Sequence, residues 1–152
     1  MGQQQLLLLV LATVIVGLAT VAGIQAFDEN QTQAAQDALV QRGTSIISDI
    51  KGAANKPEEL GGIDLNPSNG NAIAPGKVLN RMGYETGGPN TDNLTGNETP
   101  VEGAPGANPT CNLNLPGDGT AAATCTSSAA TQEVVVTLDV TTDPSTVSTA
   151  FN

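Results

Sequence analysis

Residues Leu6 to Phe27 read LLLLVLATVIVGLATVAGIQAF, a run that only Thr13, Thr20 and Gln25 interrupt with polar side chains. As a helix rising 1.5 Å per residue it spans roughly 33 Å, close to the hydrocarbon thickness of a bilayer. A helix that is apolar on every side cannot remain in water and must be buried in lipid or among other helices. The residues before it, Met1-Gly2-Gln3-Gln4-Gln5, are uncharged, and the first charged side chain of the whole chain is Asp28.

That flank separates three readings of the segment. A secretory signal peptide has a basic leader, a shorter apolar core and a small-x-small cleavage site. A permanent anchor carries positive residues on its cytoplasmic side. No Lys or Arg occurs before Arg42. The third reading is a helix that starts in the membrane and ends inside a protein assembly, its basic leader already removed. It accommodates the neutral start best.

Outward from Phe27 the pattern turns amphipathic. Ala35, Leu39, Gly43, Ile46, Ile50 and Ala54 recur every three or four residues, a helical stripe, while Gln33, Gln36, Asp37, Arg42 and Asp49 fill other faces. Asp28 followed by Gln31 has capping-box spacing, which predicts a break and a restart of the helix there. Gly52, Asn55 and Pro57 supply the stop.

An uncharged start, about twenty apolar residues and an amphipathic continuation resemble the first helix of type IV pilins, including the archaeal type with class III leaders. The resemblance covers roughly residues 1–55. It implies a structural subunit of an extracellular helical filament that supports adhesion or surface attachment. The subunit would be held in the inner membrane before assembly and handled by a prepilin peptidase and a pilus assembly machinery. Leu6, Leu7, Leu8, Leu9, Val10, Leu11, Val14, Ile15, Val16, Leu18, Val21, Ile24 and Phe27 would then form the filament core. Phe27 stands where many pilins have an aromatic residue. Gly17 and Gly23 lie where pilin helices loosen inside filaments, and glycine costs roughly 1 kcal/mol in a helix interior. Small residues also allow close helix packing, as at Ala19 and Gly23. Bacterial pilins usually carry a glutamate at the fifth mature position, and this chain has Gln5, or Leu6 if counted from Gly2. Met1, Gln3, Gln4 and Gln5 are therefore expected to meet neighbouring subunits through amide rather than charged contacts. The mature start falls at Met1, Gly2 or Gln3.

The rest of the 152 residues narrows the function further. Fifteen acidic and five basic residues give a net charge of −10, and there is no histidine. Without histidine there is no Ser-His-Asp or Cys-His pair, no His-ligated zinc and no imidazole base, so an enzyme is not expected. Arg42, Lys51, Lys56, Lys77 and Arg81 form no basic cluster, which argues against nucleic acid binding. Beyond Arg81 eight acids follow without a single cation, a solvated surface suited to the outside medium.

The expected fold is α+β, with the long helix (1–27 apolar, 28–56 amphipathic) carrying a small antiparallel β head over 57–152. Much of 57–109 is Gly-, Pro- and Asn-rich loop. Lys77–Tyr84 reads as a short strand. Thr131–Val140 is the clearest β alternation, with Cys111–Leu115 and Ser145–Phe151 weaker, for three to five strands in all. This head is thin in apolar residues and needs the helix to cover one face.

Cys111 and Cys125 are the only cysteines. In an exported protein such a pair is most simply a disulfide, closing a loop of about 15 residues and stabilising by roughly 3 kcal/mol; the alternative is two separate buried thiols. Gly70–Lys77 falls short of a phosphate loop, with five residues between its glycines and Val78 in place of Ser or Thr. Asp64–Gly70 begins like a calcium loop but places its glycine one position late and lacks the closing Glu. No cofactor and no catalytic metal are expected, and a structural cation at Asp64 or Asp118 is the open alternative. Asn30, Asn93 and Asn97 each begin a glycosylation sequon, and Thr124–Thr131 is a candidate O-glycosylation stretch. The competing reading of the whole chain is a monomeric membrane-anchored surface protein, or a minor pseudopilin of a secretion system.

Overall fold

The computed structural model describes residues 2–67, 74–87 and 96–152. Met1, the sequon at Asn93 and the first half of the Gly70–Lys77 loop lie outside the described residues. Helix α1 (Gly2–Ala54) is followed by a 3₁₀ turn (Glu58–Leu60), helix α2 (Pro75–Arg81) and strands β1 (Glu98–Pro100), β2 (Thr110–Asn114), β3 (Thr120–Thr126), β4 (Val134–Asp139) and β5 (Thr146–Phe151). The fold is α+β, with a long amino-terminal helix and a five-stranded antiparallel sheet.

Helix α1 runs for 53 residues without interruption, about 80 Å. The break expected at Asp28 is absent. Glu29, Gln31, Gln33, Ala34 and Ala35 are good helix formers, and their propensity carries the helix through the capping-box spacing. The helix also passes through Gly17 and Gly23. It ends where expected, with Asn55 N–H bonded to Lys51 C=O at 3.2 Å and Pro57 unable to continue. The chain then turns back beneath the helix end, Ile63 N–H donating to Ala53 C=O at 3.2 Å, and buries Ile63 and Leu65. Gly62 is required there, since a Cβ would stand 1.9 Å from the Lys56 carbonyl oxygen.

The segment expected as a strand over Lys77–Tyr84 is instead α2 and its cap. Pro75 opens the helix, where its missing N–H costs nothing. Val78 and Leu79 are adjacent and both fully buried, which a helix allows and strand alternation does not.

The five strands form a simple meander in the order β1-β2-β3-β4-β5, every neighbour antiparallel. Three of them coincide with the strands read from the sequence. Strands β1 and β3 were not expected: β1 has three residues and contains Pro100, and β3 reads TAAATCT, a composition of low β propensity. Part of the Thr-rich stretch Thr124–Thr131 thus belongs to β3. One sheet face is apolar: Cys111 and Leu113 from β2, Ala121, Ala123 and Cys125 from β3, and Val134, Val136 and Leu138 from β4 are all buried. Helix α1 lies on that face through Ala35, Leu39, Gly43, Ile46, Ile47 and Ile50. The other face carries Thr, Asn and Ser and remains open.

Gly43 sets how closely the helix approaches. A Cβ at this position would lie 2.9 Å from Val136 Cγ2 and 3.3 Å from Cys125 Sγ. The alanines of β3 have the same effect from below. Cys111 and Cys125 are bonded to each other directly across the β2–β3 register, beneath this crossing.

Two expectations follow for the detergent-solubilised chain. Gly43→Leu should lower unfolding stability in urea by about 2 kcal/mol through overpacking, while Gly52→Ala, whose Cβ meets nothing, should raise it by about 0.5–1 kcal/mol. Because the bond is buried, thiol labelling should need reductant and denaturant together, and reaction of the untreated native chain would contradict the structure.

Candidate functional site

Among the described residues, the amino-terminal half of α1 is exposed throughout. Its large apolar side chains each keep about half or more of their surface exposed, from 52% at Val14 to 71% at Leu7, and Phe27 keeps 64%. Every filament-core residue expected from the sequence lies on this surface. Its only interior hydroxyls are neutralised locally: Thr13 Oγ1 donates to Val10 C=O and Thr20 Oγ1 to Gly17 C=O, both at 2.8 Å. The polar atoms thus turn back onto the helix and leave an outer surface suited to an apolar medium. Gln3, Gln4 and Gln5 are exposed at its tip. Leu9, Ala12, Thr13, Val16 and Gly17 outline a shallow apolar groove where small residues reduce the helix diameter. By length and composition α1 can cross a membrane.

A second, polar arrangement sits where α1 enters the head. Helix α2 ends on Gly83 at φ 82°, with Gly83 N–H bonded to Asn80 C=O and Tyr84 N–H to Leu79 C=O. This double bond pattern is the glycine helix stop, and it swings Tyr84 against α1. There the Arg42 guanidinium lies 4.7 Å from the Tyr84 ring centroid. The phenol donates to Asp49 Oδ2 at 2.5 Å, and the Ser45 hydroxyl is 3.4 Å away. Arg42, Ser45 and Asp49 are three and four residues apart and share one helix face. Arg42 Nη2 also donates to Thr99 Oγ1 at 3.4 Å, whereas its Nε–H is buried and has no partner among the described residues. Burial and the carboxylate of Asp49 together raise the Tyr84 pKa above the ordinary tyrosine value. Sequence reading singled out neither Tyr84 nor Arg42 for such a role; the glycine after Arg81-Met82 was the available signal.

The remaining sequence candidates do not converge. Among the described residues no three metal-ligating side chains come together. Asp64 accepts the Asn66 N–H, Asp118 bonds Thr120 and Asp139 bonds Thr141, each closing a local turn. The threonine hydrogen bonds hold the Asp118 and Asp139 carboxyls below the usual aspartate range. Pro75, Gly76 and Lys77 belong to α2 rather than to a phosphate loop. Of the sequons, Asn97 is exposed in the turn before β1, a surface setting compatible with glycosylation, and Asn30 is exposed on α1.

Compared with known protein families, characterised proteins and solved structures, the chain finds no match.

Tyr84 is the only tyrosine, so its ionisation can be followed directly by tyrosinate absorbance. The native chain should titrate above 10 and the unfolded chain at about 10. A raised folded pKa means that the contribution of Tyr84 to stability is complete below pH 10 and is lost as pH rises through the folded value. Asp49→Asn should move the native midpoint down; an unchanged midpoint would show that the phenol–carboxylate contact is not made in solution.

Proposed function

We propose that this chain is the structural subunit of an extracellular helical filament, assembled by side-by-side packing of its apolar helix and serving surface attachment. The observation that carries the reading is the bare apolar half of α1, projecting from a head whose own core is complete. Outside a membrane such a surface is stable only when covered by equivalent surfaces, since apolar burial contributes roughly 25 cal/mol per Å². Copies of the same helix supply that cover without leaving unpaired backbone groups. The acidic head, rich in Thr and Asn on its open face, would then be displayed to solvent. The resemblance of residues 1–55 to type IV pilins supports the same reading.

A second reading is favoured by one dimension. Residues 6–27 match the thickness of a single bilayer, which equally suits a monomeric anchored surface protein. The two differ in what happens once lipid and detergent are removed.

The purified chain should form uniform filaments in electron micrographs after detergent removal. Leu11→Asp or Gly17→Asp should abolish them, because each would bury an unpaired carboxylate in the bundle, while Glu58→Gln on the head should leave them intact. A chain that keeps residues 6–27 and stays monomeric in detergent-free buffer is not a filament subunit. Monomers recovered only in lipid vesicles would identify the anchored form.

A further inference from the structure

Arg42 is poorly matched to its surroundings. Five guanidinium donors are available, yet among the described residues the side chain makes one long hydrogen bond to Thr99 and one contact with an aromatic ring, and its buried Nε–H has no partner there. A buried unsatisfied donor is costly, and a guanidinium fork is shaped for a carboxylate. The side chain lines an open cavity of about 310 Å³ together with Ala38, Gln41, Ser45, Val101 and Glu102. Glu102 is exposed on its rim, where solvent and salt screen it. In a chain with 15 carboxylates and five cations, the group most available to fill such a cavity in an assembly is an acid of another copy.

The apolar part of α1 also leaves a question of register. Hydrophobic packing is non-directional, so two smooth apolar helices can slide along each other at small cost. A polar contact of defined position is the usual means of selecting one register. In a polar filament the contact must be heterologous, joining two different faces of the same molecule. Glu29 and Asp37 meet that condition. Each is exposed, and each lies about 140° around the helix from Arg42, on nearly the opposite face. Asp28 lies only about 40° from Arg42 and shares its side.

Resting on the filament reading, we infer that the Arg42 cavity is an intersubunit carboxylate site that receives Glu29 or Asp37 from α1 of a second copy and sets the axial stagger between neighbouring helices. The two acids correspond to different staggers, roughly 20 Å for Glu29 and roughly 7.5 Å for Asp37 along parallel helices. Tyr84, held by Asp49, braces the guanidinium from within its own subunit and keeps it aimed across the interface.

The test uses Arg42→Lys filaments treated with a zero-length carbodiimide, which joins an amine to a carboxylate only when they touch. Covalent dimers should form, with the linked peptides joining position 42 to Glu29 or Asp37, and the acid found reports the stagger. Linkage to Glu102 alone, or no linkage at position 42, overturns the proposal. In parallel, Arg42→Glu should raise the concentration needed for assembly about tenfold, and adding Glu29→Arg or Asp37→Arg should restore it. Unchanged assembly of Arg42→Glu also overturns the site. Tyrosinate titration of each variant shows that the head remains folded around Tyr84. If the wild-type chain itself does not assemble, the filament reading fails, and that outcome is distinct from intact filaments that ignore position 42.

Discussion

The close crossing of α1 over β3 and β4 is the contact on which the rest of the structure depends. At Gly43 no side chain separates the helix backbone from Val136 and Cys125. The strands beneath are small-residue strands for the same reason: Ala121 and Ala123 leave room for Leu39, Ile46, Ile47 and Ile50 to reach the sheet. A head with three aromatic residues in the whole chain cannot fill a wide gap between layers, so it closes the gap instead. The disulfide then ties β2 to β3 beneath Gly43.

One helix thereby does two jobs with two different surfaces. From Ala35 onward it is the second layer of a small α+β head, and its apolar stripe is fully covered. Before that it is apolar all round and uncovered, with even its threonine hydroxyls turned inward onto backbone carbonyls. Because the helix is continuous through Phe27 and Asp28, any force or register imposed on the apolar half is transmitted rigidly to the head. A break at that point would have uncoupled them. The continuous helix places Arg42 more than 20 Å along the axis from the end of the apolar run, at about 1.5 Å per residue.

The sheet edges are treated differently. Strand β1 is short, contains Pro100 and begins with Glu98, all of which discourage pairing with another chain. Strand β5 is six residues long and exposed throughout, with Val147 and Phe151 opposite Leu138 and Val134, on the helix-side face but left uncovered by α1. The head therefore presents two unlike flanks on either side of the helix.

Residue pattern alone determined the long helix, its apolar and amphipathic halves and the covered stripe, because a 3.6-residue period is written locally and needs no partner to be read. The alternation of β4 was legible on the same ground, and the two cysteines admitted only one intrachain pair. Tertiary structure decided the elements whose residues have little preference of their own. Strand β3 packs Ala121 and Ala123 fully buried beneath the helix despite their low strand preference, and helix α2 buries the adjacent Val78 and Leu79 together. The cluster around Arg42 was invisible for a related reason. Arg42, Asp49, Tyr84 and Thr99 are spread over 58 positions, and only the glycine stop after α2 and the lie of α1 across the sheet bring their side chains together. Local periodicity specifies elements; which side chains meet is settled by how closely two elements can approach, and here a single missing Cβ settles it.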